Sequence, residues 1–336
     1  MTTTISVIRG DGIGPEIMKE TLRVLDALDA GLEYEFVEAG LTALEQQDEL
    51  LPQATLDSIR RNRIALKSPL TTPVGEGFRS VNVTLRKIFD LYANVRPVIS
   101  MPGTRSHFND VDIITVRENT QGAYLAADSR ISEDGQTAES KMVVTVAGCE
   151  RITRYAFELA RSAGRRKVTI VHKANILKTV SGMFLDVSRE VAKAYPDIES
   201  EEMIVDATCM KLVMDPWQFD IIVTTNLFGD IISDLCAGLV GGLGLAPGAN
   251  IGAEAAMFEA VHGTAPDIAG QNLANPCALI LAAAQMLSHM GQEAKARKVR
   301  LAIHEVLRTR DRVTPDVGGT GSTGSMADAI IDHLRT

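Results

Sequence analysis

Along this chain, short runs of β-branched and aliphatic residues alternate with longer stretches whose apolar positions recur at helical spacing. Ile5 to Arg9 reads as a strand ending in Gly10-Asp11-Gly12-Ile13-Gly14-Pro15. Pro15 opens a helix, because its missing N–H costs nothing at a first helical position. Ile17, Thr21, Val24, Leu25 and Leu28 line the buried face of that helix. Tyr34 to Val37 and Ile64 to Lys67 are further strands, with a helix from Leu56 to Arg61 between them and a loop from Ser68 to Gly75 after them.

The alternation continues. Val111 to Arg117 is mostly β-branched and reads as a buried strand. Leu125 to Gln136 turns polar, and with a strand from Lys141 to Ala147 it reads as a protruding hairpin or arm. Strands are expected at Lys167 to His172, Met203 to Asp206 and Asp220 to Thr225. Helices are expected at Arg151 to Ala163, Gly182 to Tyr195, Asp230 to Ala237, Pro276 to His289, Ala294 to Thr309 and Gly324 to His333. Strands alternating with helices imply an α/β fold with largely parallel sheets, whose functional loops lie beyond the carboxyl ends of the strands.

With 336 residues the chain has room for one large or two medium domains. Its 34 basic and 43 acidic residues leave a net charge of −9, and no basic tract occurs, so a nucleic-acid-binding face is not expected. Apolar runs such as Leu279 to Leu287 fall short of the roughly 20 residues that cross a bilayer. With no basic and apolar leader at the first residues either, the cytoplasm is the expected compartment. Cys149, Cys209, Cys236 and Cys277 form no CxxC pair and read as free thiols.

Gly10-Asp11-Gly12-Ile13-Gly14 sits between a strand and a helix, as a dinucleotide loop would, but GxGxG followed by proline is not the GxGxxG fingerprint. A tight turn near a ligand is the alternative. Arg86, Arg96 and Arg117 offer planar forks for carboxylates, and Ser80 and Asn82 add neutral hydrogen bonds near a helix start. On pattern alone the arginines are equally well surface solubilisers. Asp230 and Asp234 are four apart and share a helical face. The pair is either two solvated acids or part of an all-oxygen Mg²⁺ or Mn²⁺ site, with Asp206, at a strand end, as the third carboxylate. Tyr124 and Lys173 follow strand ends and suit proton transfer. Asp267, in the loop His262-Gly263-Thr264-Ala265-Pro266-Asp267-Ile268, could accept both ribose hydroxyls and would repel a 2′-phosphate, while the polar loop from Asp316 could close on a nucleotide.

Six blocks, in order, resemble the isocitrate/isopropylmalate dehydrogenase family, the β-decarboxylating dehydrogenases. They are Gly10-Asp-Gly-Ile-Gly-Pro-Glu, Leu91-Tyr-Ala-Asn-Val-Arg-Pro, Arg117-Glu-Asn-Thr, Thr225-Asn-Leu-Phe-Gly-Asp-Ile-Ile-Ser-Asp, His262-Gly-Thr-Ala-Pro-Asp-Ile-Ala-Gly and Asp316-Val-Gly-Gly-Thr. The resemblance implies two α/β domains around a cleft, not a Rossmann fold. It places a large domain with most of the cofactor site at residues 1–91 and 252–336, and a small domain with the dimer interface and an arm near 121–145 at residues 92–251.

The activity implied is NAD-dependent oxidative decarboxylation of isocitrate to 2-oxoglutarate, with Mg²⁺ or Mn²⁺. Isopropylmalate, homoisocitrate and tartrate-like acids are the alternative substrates. By the same resemblance Ser80, Asn82, Arg86, Arg96 and Arg117 bind the substrate, while Tyr124, Lys173 and Asp206 transfer protons. Asp206, Asp230 and Asp234 ligate the metal. Thr72, Asn226, His262, Gly263, Asp267, Ile268, Asn275 and Asp316 bind NAD. Lys173 and Asp206 are expected to complete the site of the other protomer in a homodimer. Gln121 departs from the family, which usually carries glutamate there.

Overall fold

The computed structural model describes residues 2–72 and 80–335, so Pro73 to Gly75 of the expected loop lie outside the described residues. The chain divides into two compact units, one of Met1–Phe89, Ser100–Asn109 and Ala237–Thr336, the other of Asp90–Ile99 and Asp110–Cys236. Among the described residues no helix is long and apolar enough to cross a membrane.

The first unit is built on strands β1 (Thr3–Ile8), β2 (Leu32–Val37) and β3 (Ile64–Lys67), with β11 (Pro247–Ile251) and β12 (Ala256–Ala260) from late in the chain. Their order is β2-β1-β3-β12-β11, parallel except for the last pair. Its helices are α1 (Gly14–Ala27), α2 (Leu41–Gln47), α3 (Gln53–Asn62), α4 (Val81–Ile88), α9 (Cys277–His289), α10 (Glu293–Thr309) and α11 (Thr323–Arg335). The apolar run around Leu279 is α9, buried on nearly every side, which is why it shows no polar face. Residues 237–251 belong to this unit, although the sequence places them in the middle domain. The reason is local: β11 pairs with β12, and the hydroxyls of Thr104 and Ser106 bond the carbonyls of Val240 and Leu239.

The second unit has the strand order β4-β5-β10-β8-β9, with β4 (Ala93–Ile99), β5 (Asp112–Glu118), β8 (Lys167–His172), β9 (Glu199–Ile204) and β10 (Ile221–Thr224). Only β4 runs antiparallel to its neighbour. Helices α5 (Val146–Ser162), α6 (Val180–Ala192), α7 (Val205–Met214) and α8 (Asn226–Leu239) accompany it. The arm is a two-stranded antiparallel ribbon of β6 (Gly122–Ile131) and β7 (Ala138–Val143).

Two local expectations need correction. The strand expected to Ala147 ends at Val143, because Thr145 caps α5 by accepting from the Gly148 N–H at 3.0 Å. Asp206 is not at a strand end but in the first turn of α7, where a carboxylate is favoured by the helix dipole.

The glycine loop is a packing device. Gly10 and Gly12 have φ of 74° and 59°, and a Cβ would sit 2.4 Å from the Pro69 carbonyl oxygen at one and 2.1 Å from that of Thr264 at the other. Between them the buried Asp11 carboxylate accepts from the N–H groups of Leu41, Thr42 and Thr71 at 2.8–3.0 Å, tying three segments together.

Candidate active site

The second unit gathers most of its chemistry at the start of α8. Strand pairing sets Arg117 of β5 opposite Asn94 of β4 and beside Thr224 of β10, just before α8 begins. Arg117 is 1% exposed; it pairs with Asp230 and donates to Asn226 Oδ1 at 2.7 Å. Its guanidinium also lies 4.8 Å from the centre of the Tyr124 ring. Arg96 reaches the same place from β4, donating to Ser233 Oγ at 2.7 Å, Asp230 at 3.2 Å and Asp234 at 3.4 Å, with its Nε held by Asn94 Oδ1 at 2.7 Å.

Tyr124 donates its hydroxyl to the other oxygen of Asp230. Burial raises the pKa of that phenol, the Asp230 hydrogen bond and charge raise it further, and Arg117 opposes them. Asp234 is raised by burial, against Arg96 and with the help of Asp230. Two arginines, a phenol and two carboxylates therefore share one polar cluster.

Gly229 makes the cluster possible, because a Cβ there would lie 2.5 Å from Arg117 Cγ and 2.7 Å from its Cβ. Gly229→Ala is expected to cost about 1–3 kcal/mol by overpacking, read as a lowered midpoint in thermal or urea unfolding. An unchanged midpoint would mean that Arg117 has room to move aside.

Lys173 follows β8, its backbone N–H fixed by Ser181 Oγ at 2.7 Å, and its ammonium pairs with Asp206 of α7. That hydrogen bond, followed by the backbone one at the helix start, lowers the Asp206 carboxyl. Among the described residues no three of His, Cys, Asp or Glu come together to hold a metal, so Asp206 does not join Asp230 and Asp234 within one chain. Gln121 holds the junction of arm and helix, donating to Thr145 Oγ1 at 2.9 Å and accepting from its N–H at 2.8 Å.

The remaining candidates belong to the first unit. Ser80 caps α4 and Thr72 Oγ1 accepts the Val81 N–H at 3.2 Å, so both sit at the helix start. Among the described residues Asn82 Oδ1 is buried without a hydrogen-bond partner, and Arg86 donates to Glu259 at 3.2 Å. His262 Nδ1 faces the Gly263 carbonyl at 3.0 Å, its Nε2 is buried and unpartnered, and burial lowers its pKa, which favours a neutral ring. Asp267 is exposed and Ile268 half-buried in the turn that follows. Asn275 is fixed from both ends, accepting from the Cys277 N–H at 2.9 Å and donating to Asp316 at 2.9 Å. The second oxygen of Asp316 accepts from Thr314 at 2.6 Å, so this acid serves Asn275. Likewise Asn226, expected at the cofactor, gives its side-chain oxygen to Arg117.

The family model described as isocitrate/isopropylmalate dehydrogenase matches residues 4–330. The chain belongs to this family. The crystal structure of isocitrate dehydrogenase from Methylococcus capsulatus superimposes with a TM-score of 0.97 at 54% identity, over 100% of both chains. A catalytic subunit of mitochondrial NAD isocitrate dehydrogenase from Arabidopsis thaliana is 45% identical, covering 98% of this chain and 88% of its own. A mitochondrial regulatory subunit of the same enzyme from Dictyostelium discoideum is also 45% identical, covering 98% and 91%. The fold expected from the six sequence blocks is therefore the family fold, without a Rossmann unit. The expectation of a cytoplasmic protein is overturned, since these curated relatives are mitochondrial. That expectation rested on two absences, of a leader and of a membrane-spanning apolar run, and neither fixes a compartment.

Sequence reasoning missed Asn94, Ser233, Gly229, Lys67, Glu259 and Asn250. Ser233 and Gly229 were within sight, lying on the same helix as Asp230. The others take their place only through strand pairing.

Proposed function

We propose that this chain is an NAD-dependent isocitrate dehydrogenase, converting isocitrate to 2-oxoglutarate and CO₂ and working as a homodimer. The observation that carries the reading is the convergence of Arg96, Arg117 and Tyr124 on the acids of α8. Such a set neutralises a polyanionic acid and delivers a proton beside it.

The donor set suits a hard divalent cation, Mg²⁺ or Mn²⁺. Asp230 and Asp234 are oxygen ligands one helical turn apart, and the burial that raises Asp234 is relieved by a cation. When bound, the metal acidifies the C2 hydroxyl and draws electrons from the breaking C–CO₂ bond. Bound NAD would supply the acceptor for the hydride of C2. The chain's own residues do the rest. Arg86, Arg96 and Arg117 hold the carboxylates, with Ser80 and Asn82 on the γ-carboxylate arm. Lys173 and Asp206 relay the C2 hydroxyl proton, and Tyr124 returns one proton to C3 after CO₂ departs. The exposed Asp267 carboxylate favours the ribose hydroxyls of NAD over a 2′-phosphate.

A stripe of exposed apolar side chains supports the dimer. Met210, Val213 and Met214 follow Asp206 at helical spacing on α7, and Trp217 is exposed in the turn after it, with Met214 71% exposed. A second copy covering this stripe would bring Asp206 and its partner Lys173 into the interface. This accords with their service to the other protomer's site.

Relatives named catalytic and regulatory are equally similar to this chain, so identity does not separate the two roles. Steady-state assays of the purified chain with Mn²⁺ do. Isocitrate is expected to exceed isopropylmalate in kcat/KM by roughly 10⁴-fold, because a site built to hydrogen-bond a polar arm is left unpaired by an alkyl one. NAD is expected to be preferred over NADP. Absence of turnover would favour a regulatory role, and faster turnover of isopropylmalate would overturn the roles of Ser80 and Asn82.

A further inference from the structure

Glu259 stands among apolar residues on β12, and Lys67 ends the apolar strand β3. The parallel pairing of these strands sets the two residues in direct register. Lys67 Nζ lies 2.7 Å from Glu259 Oε2 and also donates to the Ser68 carbonyl at 3.0 Å. The other oxygen, Oε1, accepts from Asn250 Nδ2 at 2.7 Å and from Arg86 Nη2 at 3.2 Å. Lys67 and Asn250 are 1% exposed and Glu259 6%. Burial alone would push the Glu259 carboxyl up. The charges of Lys67 and Arg86, with the hydrogen bonds from Lys67 and Asn250, outweigh it and hold the group well below the usual carboxylate range.

Among the described residues two cations thus share this one anion, and the buried cluster keeps one positive charge in excess. Such a surplus is unfavourable until an anion arrives. A guanidinium carries five N–H donors in one rigid plane, so fixing one corner fixes the direction of the rest.

We propose that Glu259 is a positioning residue for Arg86, holding its guanidinium in place for a carboxylate of the substrate. The inference rests on the reading of Arg86 as a substrate ligand. A buried ion pair kept for the fold alone would alter stability without a selective effect on substrate affinity.

The test is steady-state kinetics with isocitrate, Mn²⁺ and saturating NAD on Glu259→Gln, Glu259→Asp, Arg86→Lys and the Arg86→Lys/Glu259→Gln double variant. Glu259→Gln is expected to raise KM for isocitrate roughly tenfold with kcat within about threefold, and Glu259→Asp to restore most of the loss. In the Arg86→Lys background the same change is expected to add less than about twofold, as coupled residues do. If Glu259→Gln does not fold, the neutral Lys67→Met/Glu259→Gln swap carries the same expectation on KM. An unchanged KM in the Glu259 variants, or a penalty that adds in full to that of Arg86→Lys, overturns the proposal. Arg86→Lys that leaves KM unchanged overturns instead the underlying reading of Arg86.

Discussion

Tyr124→Phe is expected to lower kcat by about 10²–10⁴-fold while moving KM for isocitrate little, because in the proposed mechanism the hydroxyl acts on the substrate when C3 takes up its proton. The substitution keeps the ring that packs against the Arg117 guanidinium at 4.8 Å. It removes one hydrogen bond to Asp230, at a cost in stability of about 1 kcal/mol. Activity therefore falls far more than the fold weakens, and NADH absorbance with thermal melting of the same samples separates the two.

The sign of the pKa shift adds a second readout. Burial, and then Asp230, raise the phenol above its ordinary value of about 10. The native hydroxyl thus stays protonated through neutral and mildly alkaline pH. Between about pH 6 and 9 the profiles of native enzyme and Tyr124→Phe are expected to differ in height and not in shape. A variant that retains kcat within about threefold would remove Tyr124 from the proton transfer.

How much of this was legible in the sequence depends on whether a residue's role is local. Ile64–Lys67 and Lys167–His172 are strands with the expected bounds, since short apolar runs buried on both faces carry their own signal. The helix α7 did not show. Its exposed Met210, Val213 and Met214 spoil the amphipathic pattern, and the strand expected over Met203 to Asp206 is real only as far as Ile204. The strand β11, Pro247–Ile251, carries proline and glycine that strands disfavour and exists through its pairing with β12.

In the site, Asp230 and Asp234 were visible as a helical pair, but on spacing alone they were as consistent with solvated acids. Arg96 and Arg117 pair with these acids, so they are not simply solvated, and the two arginines reach α8 only because β4, β5 and β10 are neighbours. The Lys67–Glu259 pair is a sharper case. The two residues are far apart in the chain, and only the register of β3 on β12 makes them partners.

Asp230→Asn and Asp234→Asn are expected to part company, although the two acids differ by a single helical turn. Asp230 is the shared counter-charge of Arg117 and Arg96 and the acceptor for Tyr124, with its side chain 33% exposed. Neutralising it leaves the buried Arg117 guanidinium without its nearest anion, at a cost of about 2–4 kcal/mol, for which Asn226 compensates only in part. The Asp234 side chain is 55% exposed and, among the described residues, forms its ion pair with Arg96 at 3.4 Å, so its replacement is expected to cost no more than about 1 kcal/mol. Both substitutions remove a negative oxygen from the proposed metal site, so both are expected to shift the Mg²⁺ or Mn²⁺ concentration for half-maximal activity upward by roughly tenfold or more. Urea unfolding therefore separates the two variants, whereas metal titration of activity groups them. Equal unfolding midpoints would mean that Asp230 is not the hub of the arginine cluster. Unchanged metal titrations would show that the α8 acids serve the arginines alone.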